Sequence, residues 1–190
     1  MMLPFGVQNL IISAFTDEEL GAYGQLATNG LNKFPQVRTV HFHWMAEKKA
    51  LVFNCHTSSS KWAELKSNPY HSGCYVDLKR YAQFRWEGKA VLVDSTYEKE
   101  KTFLDKMWLL MREEVRLAYW LDQEGITFQD GKEYPFDLKK RAPNMGVVLC
   151  SPTFWNIYEM SPENYVKGQC TLYKKTASTW SSEKKSILGC

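Results

Sequence analysis

Short runs of alternating apolar and polar residues, joined by turn-forming clusters of a few residues, most constrain what this chain can fold into. Val37 to Trp44 alternates and is rich in β-branched and aromatic residues, and Ala50 to Asn54 is β-rich too. Glu47-Lys48-Lys49 between them leaves room only for a hairpin connection. Cys74 to Leu78 and Gln83 to Val93 read as a second strand pair, and Gly146 to Met160 with Tyr165 to Lys174 as closing strands. Helical signals interrupt this series. Thr16 with Glu19 forms a capping box, predicting a helix to about Asn29, where Asn29-Gly30 stops it. Lys61 to Ser67 reads as a short helix ended by Asn68-Pro69. Ser95 with Glu98 opens the longest predicted helix, roughly Tyr97 to Leu121, with Phe103, Met107, Leu110, Met111, Leu117 and Trp120 near helical spacing. Asp122 to Asn144 is predicted as loop, and the tail from Thr176 is polar. Sequential hairpins with a few inserted helices imply an antiparallel β-barrel with flanking helices, in the α+β class, as one domain over residues 1–190.

Charge excludes one class of partner. The 24 basic and 21 acidic residues leave a net charge of +3, too even for a nucleic-acid footprint. No apolar run reaches bilayer length, and Met-Met-Leu-Pro-Phe lacks the basic start of a signal peptide, so a soluble, cytoplasmic protein without membrane partners is expected. Cys55, Cys74, Cys150, Cys170 and Cys190 are odd in number and contain no C-x-x-C pair; they are expected to be reduced, mostly buried thiols. His41 and His43 share one face of a strand, but no clear third ligand is near them, and no metal site is expected.

Three segments could carry chemistry. Arg38 lies inside the otherwise apolar Val37 to Val40 run, where a charge needs a partner. In Asn54-Cys55-His56-Thr57-Ser58-Ser59-Ser60-Lys61 a strand ends in hydroxyls and a Lys at a helix start, a set that suits a phosphate dianion, with Arg38 adding a planar fork. An Arg paired with a carboxylate beside a Ser-rich N-cap explains the same residues equally well. Gln83, Arg85 and Glu87 alternate with aromatics, which fits either a solvated sheet face or contact with a ring edge.

Taken in order, P-x-x-R-T-V from Pro35, L-V-F-N-C-H-T-S-S-S-K with E-L-x-x-N-P, and Q-F-R-x-E-G resemble the pyridoxamine 5′-phosphate oxidase-related, FMN-binding split barrels over roughly Pro35 to Val93. The resemblance implies a homodimer with FMN at the subunit interface. Arg38, Ser59 and Lys61 would hold the phosphate, with Ser60 among the cofactor-binding residues beside them. Thr39, Val40, Asn54 and Cys55 would line the cofactor, and Gln83 and Arg85 would meet the isoalloxazine edge. Trp155, in Thr153-Phe154-Trp155, would approach the flavin of the other subunit. Trp108, Arg116, Tyr119 and Trp120 are similar to a W-x7-R-x2-aromatic-W pattern of a divergent, oxidase-like branch; Trp108 and Tyr119 read as core, and Arg116 as a cation that wants an anion. Arg112 and Arg116 are candidates for substrate recognition, and His43 for proton handling. The family's late R-x-H-D-R element has become Val166-Lys167-Gly168-Gln169-Cys170, and Ser60 and His43 replace an Arg and a Lys. The expectation is therefore an FMN-dependent oxidoreductase that does not oxidise pyridoxamine phosphate efficiently. A non-catalytic FMN-binding, sensing or storage module, or a barrel that has lost its cofactor, would fit the same substitutions.

Overall fold

In the computed structural model, which describes residues 3–16 and 21–186, eight strands and four helices follow one another. They are α1 (Phe5–Phe15), β1 (Ala22–Asn29), β2 (Pro35–Met45), β3 (Ala50–His56), α2 (Ser60–Ser67), β4 (Tyr70–Asp77), β5 (Ala82–Val93), α3 (Lys101–Leu109), α4 (Glu113–Gln123), β6 (Met145–Glu159), β7 (Gln169–Thr176) and β8 (Thr179–Lys185). The strands lie in the order β3-β2-β1-β4-β5-β6-β7-β8, and β3 also pairs with β6. That last pairing closes six antiparallel strands into a barrel and leaves β7 and β8 as an extension.

Alternation fixes what faces inward. In β1, Ala22, Gly24, Leu26 and Thr28 are buried, while Tyr23, Gln25 and Asn29 are exposed. Helix α1 plugs the barrel with Ile11, Ala14 and Phe15. The Phe15 ring lies 5.2 to 6.4 Å from those of Phe42, Tyr75, Phe84, Trp86 and Trp155, and such pairs add about 0.5–1.5 kcal/mol each beyond area burial. Gly73 faces this cluster because a Cβ there would overlap the Trp86 ring. A second core forms where α3 and α4 cover the outside of β3, β5 and β6, packing Phe103, Leu104, Met107, Trp108 and Tyr119 on Val52, Val93, Met145 and Val147. Strands β3 and β6 are thus buried on both faces there, which explains their nearly continuous apolar runs.

Several expected elements differ. The helix expected from Thr16 to Asn29 is instead strand β1, apart from residues 17–20, which lie outside the described residues together with Glu19 of the capping box. Thr16 ends a helix rather than starting one, donating its hydroxyl to Ile12 O at 2.8 Å. The long helix from Tyr97 to Leu121 is a 3-10 turn, α3 and α4, interrupted at Leu110–Arg112. Ser95 does not cap it; Asp94 accepts from the Thr96 amide and hydroxyl. The polar tail contains β8, an exposed edge strand with Lys184 and Lys185, a composition that discourages further strand pairing. Cys55, Cys74 and Cys150 are free, whereas Cys170 is disulfide-bonded, contrary to the expectation of reduced thiols throughout. Spacing in sequence is blind to a pairing that folding creates. Among the described residues, no helix is long and apolar enough to cross a membrane.

Candidate functional site

The turn from β3 into α2 gathers most of the phosphate candidates. Helix α2 has no side-chain cap on its N-terminus, so the amides at Ser60 and Lys61 retain the donor capacity of any helix start. Lys61 has no ion-pair partner among the described residues. Ser59 is already committed. Its hydroxyl donates to His56 O at 2.8 Å and lies 3.1 Å from Cys55 Sγ, so the donor proton assigned to phosphate is used inside the turn. Ser60 and Lys61 are left to face a ligand.

Arg38 reaches the same region from β2, but it has a partner. Its Nη2 donates to Glu64 Oε2 at 2.6 Å, its Nη1 donates to Thr28 Oγ1, and Thr28 Oγ1 donates to Glu64 Oε2 at 2.5 Å. Of the two readings of Arg38, the carboxylate-paired one describes this arrangement. The guanidinium keeps an open edge, its side chain being 22% exposed against 6% for Glu64. Arg38 and Lys61 also act on one common group. Burial pushes the Cys55 thiol up, and the Ser59 hydrogen bond and the Lys61 and Arg38 charges oppose that rise. Arg38 is tied to α2 through Glu64, one helical turn beyond Lys61, so both cations are carried at the N-terminal half of that helix. Asn54 Oδ1, at the end of β3, is buried without a hydrogen-bond partner.

The other cofactor candidates divide. Thr39 is exposed on the outer sheet face, whereas Val40 points into the core. Thr39, Gln25, Cys74 and Arg85 follow in register across β2, β1, β4 and β5, and Gln83 lies on the same outer face. At about 4.8 Å per strand, β5 lies roughly 14 Å from β2 across the sheet, so Gln83 and Arg85 do not join the Arg38 cluster within one chain. Trp155 is not available to a second subunit. Its side chain is 2% exposed and packs 5.6 Å from Trp86 in the barrel core, because its register on β6 turns it inward.

His43 packs against His41, and the charge of Arg112 is felt at His41. Tyr23 stacks on His41 at 4.4 Å, and the His41 and His43 rings are 4.0 Å apart. Burial lowers His41, and the Arg112 charge lowers it further; burial and His41 hold His43 down to about 4. At neutral pH His43 is an uncharged imidazole too weakly basic for efficient proton abstraction, which removes the argument for it as a proton shuttle. It carries a stability consequence instead. An unfolded His43 binds its proton near 6.5 and the folded one only near 4, so acid favours unfolding across that window and stability recovers above it. The loss on acidification is expected to be about 3 kcal/mol, with His41 and His71 shifted in the same direction. Urea titrations between pH 4 and 7 should give a visibly flatter profile for His43→Gln than for the parent.

Arg116 and its aromatic neighbours hold a loop. Trp108 Nε1 and Arg116 Nη1 both donate to Leu138 O, at 2.8 and 3.1 Å, and Trp120 Nε1 donates to Lys140 O at 3.1 Å. The buried Arg116 thus serves the segment between α4 and β6, which corrects its assignment to substrate. Arg112 is highly exposed and pairs with Glu114 at 3.1 Å. In the neighbouring Lys139-Lys140-Arg141 stretch, Arg141 is mostly covered and pairs with Asp105 at 2.9 Å, while Lys139 and Lys140 are exposed.

Sequence reading missed two groups of residues. Glu64 and Thr28 complete the Arg38 cluster; Glu64 lies one helical turn beyond Lys61, a spacing that places both near the same end of α2. His56 bonds Asp122 at 2.9 Å and stacks on Tyr119 at 3.8 Å, while Asn144 donates to Asp122 at 3.0 Å and to Tyr119 O at 3.2 Å. This second group ties α4 to the β3–α2 turn.

A six-stranded antiparallel barrel extended by two further strands, with flanking helices, defines the split-barrel class. The chain belongs to the pyridoxamine 5′-phosphate oxidase family, whose model matches residues 21–127. It is 33% identical over 102 residues to pyridoxine/pyridoxamine 5′-phosphate oxidase 2 of Arabidopsis thaliana, spanning 52% of this chain and about half, 51%, of that relative's length. Among solved structures it is similar to a pyridoxamine 5′-phosphate oxidase-related, FMN-binding protein of Nostoc punctiforme, with a TM-score of 0.80 at 23% identity over 98% of this chain and 100% of the other. PhzG of Burkholderia lata, solved with tetrahydrophenazine-1-carboxylic acid, gives 0.68 at 15% identity over 95% and 90% of the two chains. At these identities the two structures speak for the fold alone.

Proposed function

We propose that this chain binds FMN and is an FMN-dependent oxidoreductase that does not oxidise pyridoxamine phosphate efficiently. The observation that carries the proposal is the placing of Lys61 at an uncapped helix start, with Arg38 bonded to Glu64 one turn further along the same helix. This donor set fits a phosphoryl group: an ammonium without a carboxylate partner among the described residues, helix amides, the Ser60 hydroxyl and the open edge of a guanidinium. Bound FMN would supply hydride or electron transfer. Lys61 and Arg38 would fix the phosphate end, and the unpartnered Asn54 Oδ1 would accept a hydrogen bond nearby.

A second copy of the chain would complete the site. Gln83 and Arg85 lie too far across the sheet to serve the same chain's cradle, and the outer face beside them exposes Tyr23, Val37 and Val76. A homodimer would cover those apolar groups and bring Gln83 and Arg85 to the partner's flavin. Substrate recognition is left to groups at that boundary, with the exposed Arg112 and the half-buried His41–His43 pair as candidates. Residues 166–170 offer one cation, Lys167, where the family's substrate reader has more, in line with a different substrate.

Titrating the purified chain with FMN while following flavin fluorescence, with riboflavin as the control, tests the proposal. Saturable quenching by FMN at one site per chain is expected. Absence of binding up to millimolar FMN would reject it, as would a flavin-loaded protein that NADH, NADPH and dithionite all leave oxidised.

A further inference from the structure

Arg38, Thr28 and Glu64 form a closed polar triad, and Glu64 faces the same turn as Lys61 from within one helix. Glu64 Oε2 accepts from both Arg38 and Thr28, and the residue is only 5% exposed, so its carboxylate is held against the guanidinium. The charges bordering the cradle are then two positive, Arg38 and Lys61, and one negative, Glu64. A phosphate monoester, carrying between one and a half and two negative charges at neutral pH, meets a net single positive charge. The planar guanidinium, the cation best matched to a pair of phosphate oxygens, already has one donor on a carboxylate and another on a hydroxyl.

We infer that Glu64 sets the strength of the phosphoryl grip by occupying Arg38, making this a site from which the flavin nucleotide exchanges rather than one that holds it permanently. The inference rests on the proposed flavin reading and deepens it. The flavin ring would supply much of the affinity and the phosphate unusually little, so FMN should bind the parent only severalfold more tightly than riboflavin. The nucleotide would behave as a dissociable ligand that the protein takes up and returns. Glu64 would act through Arg38 and need not touch the flavin.

The test is the ratio of riboflavin to FMN dissociation constants, measured by fluorescence quenching at fixed pH and salt, for the parent, Glu64→Gln and Lys61→Gln. The glutamine keeps the shape and an acceptor for Arg38 and Thr28 while removing the charge, and a urea titration checks that each variant is folded. Glu64→Gln is expected to tighten FMN on the order of tenfold or more and to leave riboflavin unchanged. Lys61→Gln is expected to bring the ratio to about one. If FMN binds the parent but Glu64→Gln leaves the ratio the same or lowers it, Glu64 is not a competitor for Arg38 and the inference is overturned while the flavin reading stands. If neither flavin binds the parent or Glu64→Gln, the flavin reading itself fails. Raised affinity for both flavins equally would also overturn the inference, because a structural effect has no preference for the phosphate.

Discussion

Arg38→Ala is expected to lower folding stability by about 3–5 kcal/mol, and most of that loss should return in the Arg38→Ala/Glu64→Gln double variant. The reason is an asymmetry of burial. Glu64 is 6% exposed at its side chain and Arg38 22%, so removing the guanidinium strands a carboxylate with only Thr28 to bond it. Neutralising that carboxylate in the second variant removes the stranded charge, although not the lost contacts. Urea unfolding of the four members of the cycle gives the coupling directly. Independent effects, with the double variant as unstable as the sum of the singles, would show that the pair does not meet in solution. A flavin assay on Arg38→Ala alone is therefore a poor reporter, because loss of colour and loss of fold coincide.

Trp155→Ala is expected to cost about 3–5 kcal/mol as well, for a different reason. The indole fills the barrel interior beside Trp86 and Phe15, and the closed strands around it cannot collapse into the vacated volume. A thermal or urea midpoint measures this without any ligand. Were Trp155 a surface contact to the flavin of a second subunit, its removal would leave stability within the range of surface changes and weaken flavin binding instead. That result would contradict its placement on the inner face of β6.

The hairpin of β2 and β3, the helix after Ser59, and the β4–β5 pair were all legible because their periodicity and punctuation agree. Strand β1 was not. Its Ala, Gln and Leu residues also suit a helix, and the local Thr16-x-x-Glu19 signal pointed that way. The pairings of Ala22 with Phe42 and of Gln25 with Cys74, which decide the matter, join residues distant in sequence. The expected long helix failed at Leu110–Arg112 because helical spacing on either side conceals a break of three residues. At the site, the residue types of the cradle could be named from the motif, but the partner of Arg38 could not. Glu64 is 26 positions away, and only the crossing of α2 over the strand ends brings it within 2.6 Å. The Trp108–Arg116–Trp120 pattern misled in the opposite direction: its polar hydrogens point to carbonyls of the 138–140 segment, a use that leaves no trace in spacing.

The most direct measurement is the position of the phosphorus atom in crystals grown with FMN. A phosphate within hydrogen-bonding reach of both Lys61 and the free edge of Arg38, against the first amides of α2, is the expected result. Density for the phosphate on another face of the barrel, with Lys61 and Arg38 both bare of it, would contradict the account.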